Sequence, residues 1–350
     1  MKIYNHIDEF TRINNAVVTI GTFDGVHVGH QKIINRLLEI SRQTGGESVI
    51  LTFFPHPRMI LHPEDVNMKL ISTMSEKAGL LAKAGIDHLI ITPFTRDFSN
   101  LSPQEYIKDF LVDHIGTRRI VIGYDHRFGK DRSGGMEHLQ KYASEYDFEV
   151  EEIPEQDIHD VAVSSTKIRQ AVLSGDVQTA NDFLGYPFAL TGRVIRGDQI
   201  GRQLGFPTAN LFIQENYKLI PSDGIYAVKV EIRDQQLVVS SQQSENGNQP
   251  ATPNSEQQTP NLNFQSDNSQ LTVHNLKGMA YIGHRPTING MTRNIEVNIF
   301  DFNQDIYGQS IHLHFLDFIR QDEKFNSLEE LTGQLKKDET AVRMSLKNFQ

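Results

Sequence analysis

Ala16-Val17-Val18-Thr19-Ile20 runs straight into Gly21-Thr22-Phe23-Asp24-Gly25-Val26-His27-Val28-Gly29-His30-Gln31, and this junction decides the fold of the first half of the chain. The apolar run reads as a buried strand. Lys32 to Ile40, which follows, carries apolar residues at helical spacing. The glycines and histidines therefore occupy a strand-to-helix turn. Gly21 and Gly25 let the main chain come close to a ligand. The helix beyond aims its free N–H groups and positive dipole end at the same place, which suits a phosphate. His27 and His30 add donors, and charge if protonated, where a transferring phosphoryl group becomes more negative. A glycine-rich turn alone also fits an ordinary loop, so the rest of the chain has to decide.

Outward from this turn, strands and helices alternate. Glu47 to Phe54 reads as a strand closed by Pro55-His56-Pro57, and Asp87 to Thr92 and Arg119 to Tyr124 as two more. Thr73 with Glu76 forms a capping box, and Ser102-Pro103-Gln104-Glu105 combines a cap, a first-turn proline and a capping-box glutamate. A helix from Gly135 to Glu145 and a strand from Phe148 to Ile153 complete the pattern. Alternation of this kind predicts a parallel sheet covered on both faces, with ligands at the carboxyl ends of its strands. Val163-Ser164-Ser165-Thr166-Lys167-Ile168-Arg169 offers hydroxyls and two cations at a helix start, where Ser165 or Thr166 can act as the cap.

The helical pattern fades after Leu184-Gly185-Tyr186-Pro187, and we divide the chain there into 1–184 and 185–350. Phe188–Ile195, Gly224–Ile232, Lys277–Ile282, Asn294–Phe302 and Ser310–Phe318 read as strands of an antiparallel barrel or sandwich, followed by a helix from Ser327 with Glu330 completing a capping box. Residues 240–275 are rich in Gln, Asn and Ser and contain no Lys or Arg. They read as a disordered insert in a hairpin. Gly192-Arg193-Val194-Ile195-Arg196-Gly197 and Gly201-Arg202-Gln203-Leu204-Gly205-Phe206-Pro207-Thr208-Ala209-Asn210 suggest a phosphate loop, although no Gly-Lys-Ser/Thr follows. Thr208 and Asn210 alternate along an extended segment, so both face one way and can share a Mg²⁺ with ATP phosphates. Glu296 lies between apolar Ile295 and Val297 and faces opposite to them, which on an ordinary barrel is the solvent side.

The chain has 350 residues, 38% of them hydrophobic, which is natural for two domains. Its net charge of -10 argues against non-specific nucleic-acid binding. With no cysteines, disulfides, thiolate nucleophiles and Cys-ligated zinc are excluded. No apolar run is long enough for a signal core or a membrane span, so the expected location is the cytoplasm, with no membrane partner.

Taken together, these motifs resemble a known family. Gly21 to His30 is similar to the HxGH signature of the nucleotidyltransferases, and Ser164-Ser165-Thr166 with Arg169 to their second phosphate segment. Gly205-Phe206-Pro207-Thr208-Ala209-Asn210 resembles the riboflavin kinase signature. So do Ile282-Gly283-His284-Arg285-Pro286-Thr287, the segment around Glu296, and Arg320 to Phe325. The order of these motifs is that of bacterial bifunctional riboflavin kinase/FAD synthetase. The resemblance implies an α/β nucleotidyltransferase domain followed by a riboflavin kinase barrel with a terminal helix. It implies riboflavin, FMN and ATP as substrates and Mg²⁺ as cofactor; protein partners are left open. It assigns His27 and His30 to the phosphates, and Ser165, Thr166 and Arg169 to the triphosphate. Asp125 goes to the nucleotide or its metal, and Glu296 becomes the general base. Gly21, Phe23 and Gly25 would line the first nucleotide site, Gly192, Gly197 and Gly205 the second, and Arg320 the flavin site. His126 and Tyr281 stand where the family usually has phenylalanine and asparagine. Two rivals remain at this point: a single live activity, and a non-catalytic flavin- or nucleotide-binding regulator; another nucleotidyltransferase substrate such as phosphopantetheine would explain the first half but leave the second idle.

Overall fold

The computed structural model describes residues 1–154, 163–197, 200–233, 273–284 and 293–349. Residues 234–272, which contain most of the expected insert, and the Arg285-Pro286-Thr287 part of the kinase-like motif lie outside them.

Six strands form the first sheet: β1 (Lys2–Tyr4), β2 (Ala16–Ile20), β3 (Glu47–Phe53), β4 (His88–Thr92), β5 (Thr117–Gly123) and β6 (Glu149–Ile153). They run parallel in the order β1-β4-β3-β2-β5-β6. Their side chains alternate between two layers. Val17 and Ile50 join Ile34, Leu37 and Leu81 on one face, and Val18, Val49 and Leu51 join Tyr106, Leu111 and Ile115 on the other. Burial on both faces explains why β2, β3 and β4 read as continuous apolar runs. The chain moves outward from β2 through β3 to β4 and then returns to place β5 on the other side of β2. The Gly21 turn therefore sits where the strand order reverses, the usual ligand crevice of such sheets.

Sequence and structure differ in detail along this half. The helix expected from Ser102 begins with its capping box, but from Tyr106 to Ile115 it is wound as a π-helix, ended by Gly116. The helix Ser165–Ser174 is capped by Ser164, whose side chain accepts from Lys167 N, rather than by Ser165 or Thr166.

The second half closes into a barrel in the order β10-β11-β8-β7-β12-β9, all neighbours antiparallel. Its strands are β7 (Ala189–Ile195), β8 (Ala209–Phe212), β9 (Gly224–Arg233), β10 (Val273–Gly283), β11 (Asn294–Ile299) and β12 (Ser310–Arg320). Strand β10 begins at Val273, inside the segment expected to be insert, and Val273 faces Arg233 at the open end of the β9–β10 ladder. Strand β11 stops earlier than expected because Asp301 takes a left-handed conformation at φ 57. Val228, Val230, Ile295, Val297, Ile311 and Leu313 fill the barrel, while Ile225, Ala227 and Met279 pack outward on Val342 of the terminal helix Leu328–Ser345 and on Leu346, which caps its end. That helix is capped by Ser327, whose side chain accepts from Glu330 N. The Glu330 carboxylate accepts from Asn326 N instead of closing the expected box.

The helices Ser165–Ser174 and Val177–Leu184 share the barrel's core through Ile168, Val172, Val177, Ala180 and Leu184. Asn181 donates to Phe315 O at 2.8 Å.

Candidate active sites

The first site is assembled beneath the Gly21–His27 turn. The turn is sharply bent: Phe23, Gly25 and Val26 all have positive φ, at 46, 81 and 39. For a β-branched residue such as Val26 this conformation costs about 1–3 kcal/mol, so the surroundings must hold it. A side chain at Gly25 would meet Ile71 at 2.9 Å and Leu184 at 3.2 Å, so only glycine fits.

The holding group is Asp24, only 2% exposed. Its carboxylate accepts from the backbone N–H groups of Ile71 at 3.0 Å and Ser72 at 3.2 Å, and from Arg169 Nη2 at 2.6 Å. Arg169 also donates through Nε to Lys69 O. Ser165, four residues earlier and on the same face of its helix, donates to Asp24 O at 3.1 Å. Sequence reasoning gave Ser165, Thr166 and Arg169 to the triphosphate. The structure instead commits Ser165 and Arg169 to Asp24, and leaves Thr166 exposed. The acceptor, Asp24, was not singled out from sequence.

His27 caps the helix Val28–Thr44, its Nδ1 accepting from His30 N at 3.4 Å. The two imidazoles stack, with centroids 3.6 Å apart, and Phe23 meets His30 edge-on. Burial pulls the His27 pKa down to about 4, against a partial opposing pull from Asp24. His30 is likewise lowered, by burial, by His27 and by Lys77. Both imidazoles are therefore neutral at neutral pH and offer N–H groups rather than charge. His56, at the end of β3, is likewise pulled to about 4 by burial.

The depressed histidines make an acid prediction. Their unfolded values lie near 6.5, so the unfolded chain binds more protons between pH 6.5 and 4, and stability falls as pH drops through that window. In His27→Gln, the loss of Tm between pH 6.5 and 4.5 is expected to be smaller than in the parent. An equal loss in thermal scans would assign the acid sensitivity elsewhere.

Positive charge comes from Lys77, which sequence reasoning missed. It is 3% exposed and its Nζ donates to Thr22 O at 2.6 Å. Burial lowers its pKa to about 8, with Asp24 opposing. A signal was available: Lys77 falls on the face of its helix defined by Met74, Ala78 and Leu81, where a solvated lysine does not belong. Asp125, by contrast, is exposed on the turn after β5. Its neighbour His126 stacks on Phe128 at 5.8 Å and is pulled to about 4 by burial.

The second site lies on the barrel wall. Strands β8 and β11 pair so that Asn210 stands opposite Glu296. Thr208 Oγ1 donates to Glu296 Oε2 at 2.9 Å and Asn294 donates to Oε1 at 2.6 Å. Glu296 is half-buried, between the buried Ile295 and Val297. Gly197 packs so tightly on Asn210 that an added side chain would lie 2.4 Å from its amide nitrogen. Gly192 lies in β7, and Gly205 turns the chain at φ 82 just before Phe206-Pro207-Thr208. Tyr281 pairs with Glu296 across β10–β11, and its hydroxyl donates to Asp322 at 3.1 Å. Arg320, expected at the flavin, is bound to the buried Asp338 at 2.9 and 2.7 Å and ties β12 to the terminal helix. Thr208 and Asn210 offer two neutral oxygens, hard donors of the kind that fits Mg²⁺.

A parallel α/β sheet with an HxGH turn at its switch point, joined to a closed barrel carrying a paired glutamate, threonine and asparagine, defines a nucleotidyltransferase fused to a small-molecule kinase. Residues 10–167 match the FAD synthetase family and residues 184–346 the riboflavin kinase family. The chain is 37% identical to a bifunctional riboflavin kinase/FMN adenylyltransferase of Listeria monocytogenes, covering 96% of this chain and 94% of that one. It is 33% identical to proteins of the same name from Escherichia coli and Bacillus subtilis, covering in each case 94% of this chain and 92% of the relative. A crystal structure titled macrolide-efflux protein, from Streptococcus pneumoniae, superposes with a TM-score of 0.77 at 31% identity over 98% of each chain. No helix among the described residues is long and apolar enough to cross a membrane. The chain belongs to the bifunctional riboflavin kinase/FMN adenylyltransferase family.

Proposed function

We propose that the chain makes FAD from riboflavin in two ATP-dependent steps at two separate sites, phosphorylation at the barrel and adenylylation at the sheet. One observation carries this reading: the two family matches fall on different folds, each with its own cluster of polar residues. We place the domain division at 184/185, at the start of the second match, and the enzyme in the cytoplasm, in keeping with a chain that has no cysteine.

At the barrel, Glu296 accepts the proton of the riboflavin 5′-hydroxyl as that oxygen attacks the γ-phosphorus of ATP, and ADP leaves. Thr208 and Asn210 would hold Mg²⁺, which neutralises charge on the ATP phosphates. Thr208 and Asn294 orient the Glu296 carboxylate through its two oxygens.

At the sheet, an FMN phosphate oxygen attacks the α-phosphorus of ATP. A P–O bond forms to FMN, the bond to the β-phosphate breaks, and pyrophosphate leaves. No protein group becomes covalently attached, so positioning and charge stabilisation carry the step. His27 and His30 donate N–H groups to the phosphates, and Lys77 supplies fixed positive charge beneath the turn. Asp24 and Arg169 hold the turn in its bent form. Gly21, Phe23 and Gly25 line the nucleotide, with Asp125 at its exposed edge.

The pure protein with riboflavin, ATP and Mg²⁺ is expected to yield both FMN and FAD on chromatography. His30→Ala is expected to stop at FMN, with adenylylation reduced on the order of 10²-fold, the worth of one well-placed transition-state donor. FMN as the sole product of the parent would restrict the chain to the kinase. No conversion at all would leave a flavin-binding regulator.

A further inference from the structure

Lys218 belongs to the barrel half of the chain, between β8 and β9, yet it is sunk in the other half. Its side chain is 2% exposed. Nζ donates to Ile71 O at 2.6 Å and to Glu76 Oε2 at 2.5 Å, and lies 4.8 Å above the ring of Phe188. The flanking backbone zips onto the same segment. Leu70 donates to Tyr217 O at 2.7 Å, Leu219 donates to Leu70 O at 2.8 Å, and Lys69 Nζ donates to Asn216 O at 2.7 Å. Thr191 of β7 adds a hydroxyl to Glu76 Oε1 at 3.0 Å.

The captured segment is the one that builds the first site. The Ile71 peptide faces two ways: its N–H goes to the Asp24 carboxylate and its C=O to Lys218. Ser72 gives its N–H to Asp24 and takes the Gly25 N–H on its hydroxyl. The Lys69 carbonyl holds Arg169. Glu76 caps the helix that carries Lys77. Asp24 and the helix that carries Lys77 are thus tied, through one or two hydrogen bonds, to a single lysine of the other module, and Arg169 is tied to it through Asp24.

We propose that Lys218 is a positioning residue for adenylyl transfer, clamping segment 69–76 so that Asp24, Arg169 and Lys77 hold the turn ready for the phosphates. It touches no substrate, and it acts from the module that carries the other reaction. The same chain segment continues from β8, which bears Asn210, so the kinase strand and the adenylylation turn share one mechanical connection. The proposal rests on the assignment of adenylylation to the His27–His30 turn.

The test is Lys218→Met in the full chain, with the two reactions assayed separately, FMN supplied for the second. Adenylylation kcat is expected to fall at least tenfold while the KM for FMN stays within twofold and riboflavin phosphorylation stays within twofold. A buried carboxylate left alone can unfold a protein, so Glu76→Gln/Lys218→Met is made in parallel. It removes both charges but still leaves Ile71 O without its donor, and is expected to show the same selective kcat loss with a Tm nearer the parent's. Adenylylation within twofold of the parent in the folded double variant would overturn the proposal, as would an equal fall in both activities. His30→Ala separates the two ideas: if it leaves adenylylation intact, the site assignment fails. If it abolishes adenylylation while the Lys218 variants do not, the clamp alone fails.

Discussion

Glu296→Gln is expected to lower riboflavin phosphorylation on the order of 10²–10⁴-fold, the range lost with a general base, while adenylylation of supplied FMN stays within twofold. The substitution keeps size and one acceptor oxygen, so Thr208 can still donate to the side chain as it does at 2.9 Å. What is lost is the capacity to take a proton. The partner Asn294, which donates to Oε1 at 2.6 Å, can meet the new amide by turning its own. The backbone pairing of Asn210 with Glu296 in the β8–β11 ladder is untouched, so the fold is expected to survive with little change in Tm. Parallel assays of the two reactions check this. Loss of both in a folded variant would mean that the sites are not separate, and a kinase unaffected by the change would remove Glu296 from the chemistry.

The contrast between the halves shows what a sequence can reveal. Ala16–Ile20 and Glu47–Phe53 were legible as buried strands because both faces are covered and apolar residues dominate the run. The barrel strands were legible by alternation, with Ile295 and Val297 inward and Glu296 outward. The HxGH turn, with Thr208, Asn210 and Glu296, could be placed because resemblance supplied roles that spacing alone left open. Asp24 and Lys218 were not legible. Each is a charged residue buried by segments remote in sequence, at 71–72 and 169 for Asp24 and at 71 and 76 for Lys218. No local pattern encodes such a partner. The same holds for the partners of Arg169 and Arg320: the resemblance placed these guanidiniums at the triphosphate and the flavin, and the fold pairs them with the buried carboxylates of Asp24 and Asp338.

Asp24→Asn is expected to have the largest effect on the sheet module, and on two quantities at once. The carboxylate is 2% exposed and neutralises Arg169, itself only 15% exposed. An amide of the same shape leaves that guanidinium without its counter-charge, and breaking a buried pair from one side typically costs about 3–5 kcal/mol. The asparagine NH₂ must also face one of the N–H groups of Ile71 or Ser72 or the guanidinium, all of them donors. The bent turn then loses the anchor that holds Phe23 and Val26 at positive φ. Tm is therefore expected to drop sharply, and adenylylation on the order of 10³-fold or more, since a displacement of about 1 Å can cost 10²-fold and His27 and His30 move with the turn. Arg169→Met on the Asp24→Asn background removes the orphaned charge and is expected to recover part of the Tm but little of the activity, because the amides of segment 71–72 keep only a neutral acceptor and Arg169 no longer ties the turn to Lys69 O. Full recovery of adenylylation in that double variant would show that Asp24 serves only to balance Arg169, with no part in shaping the turn.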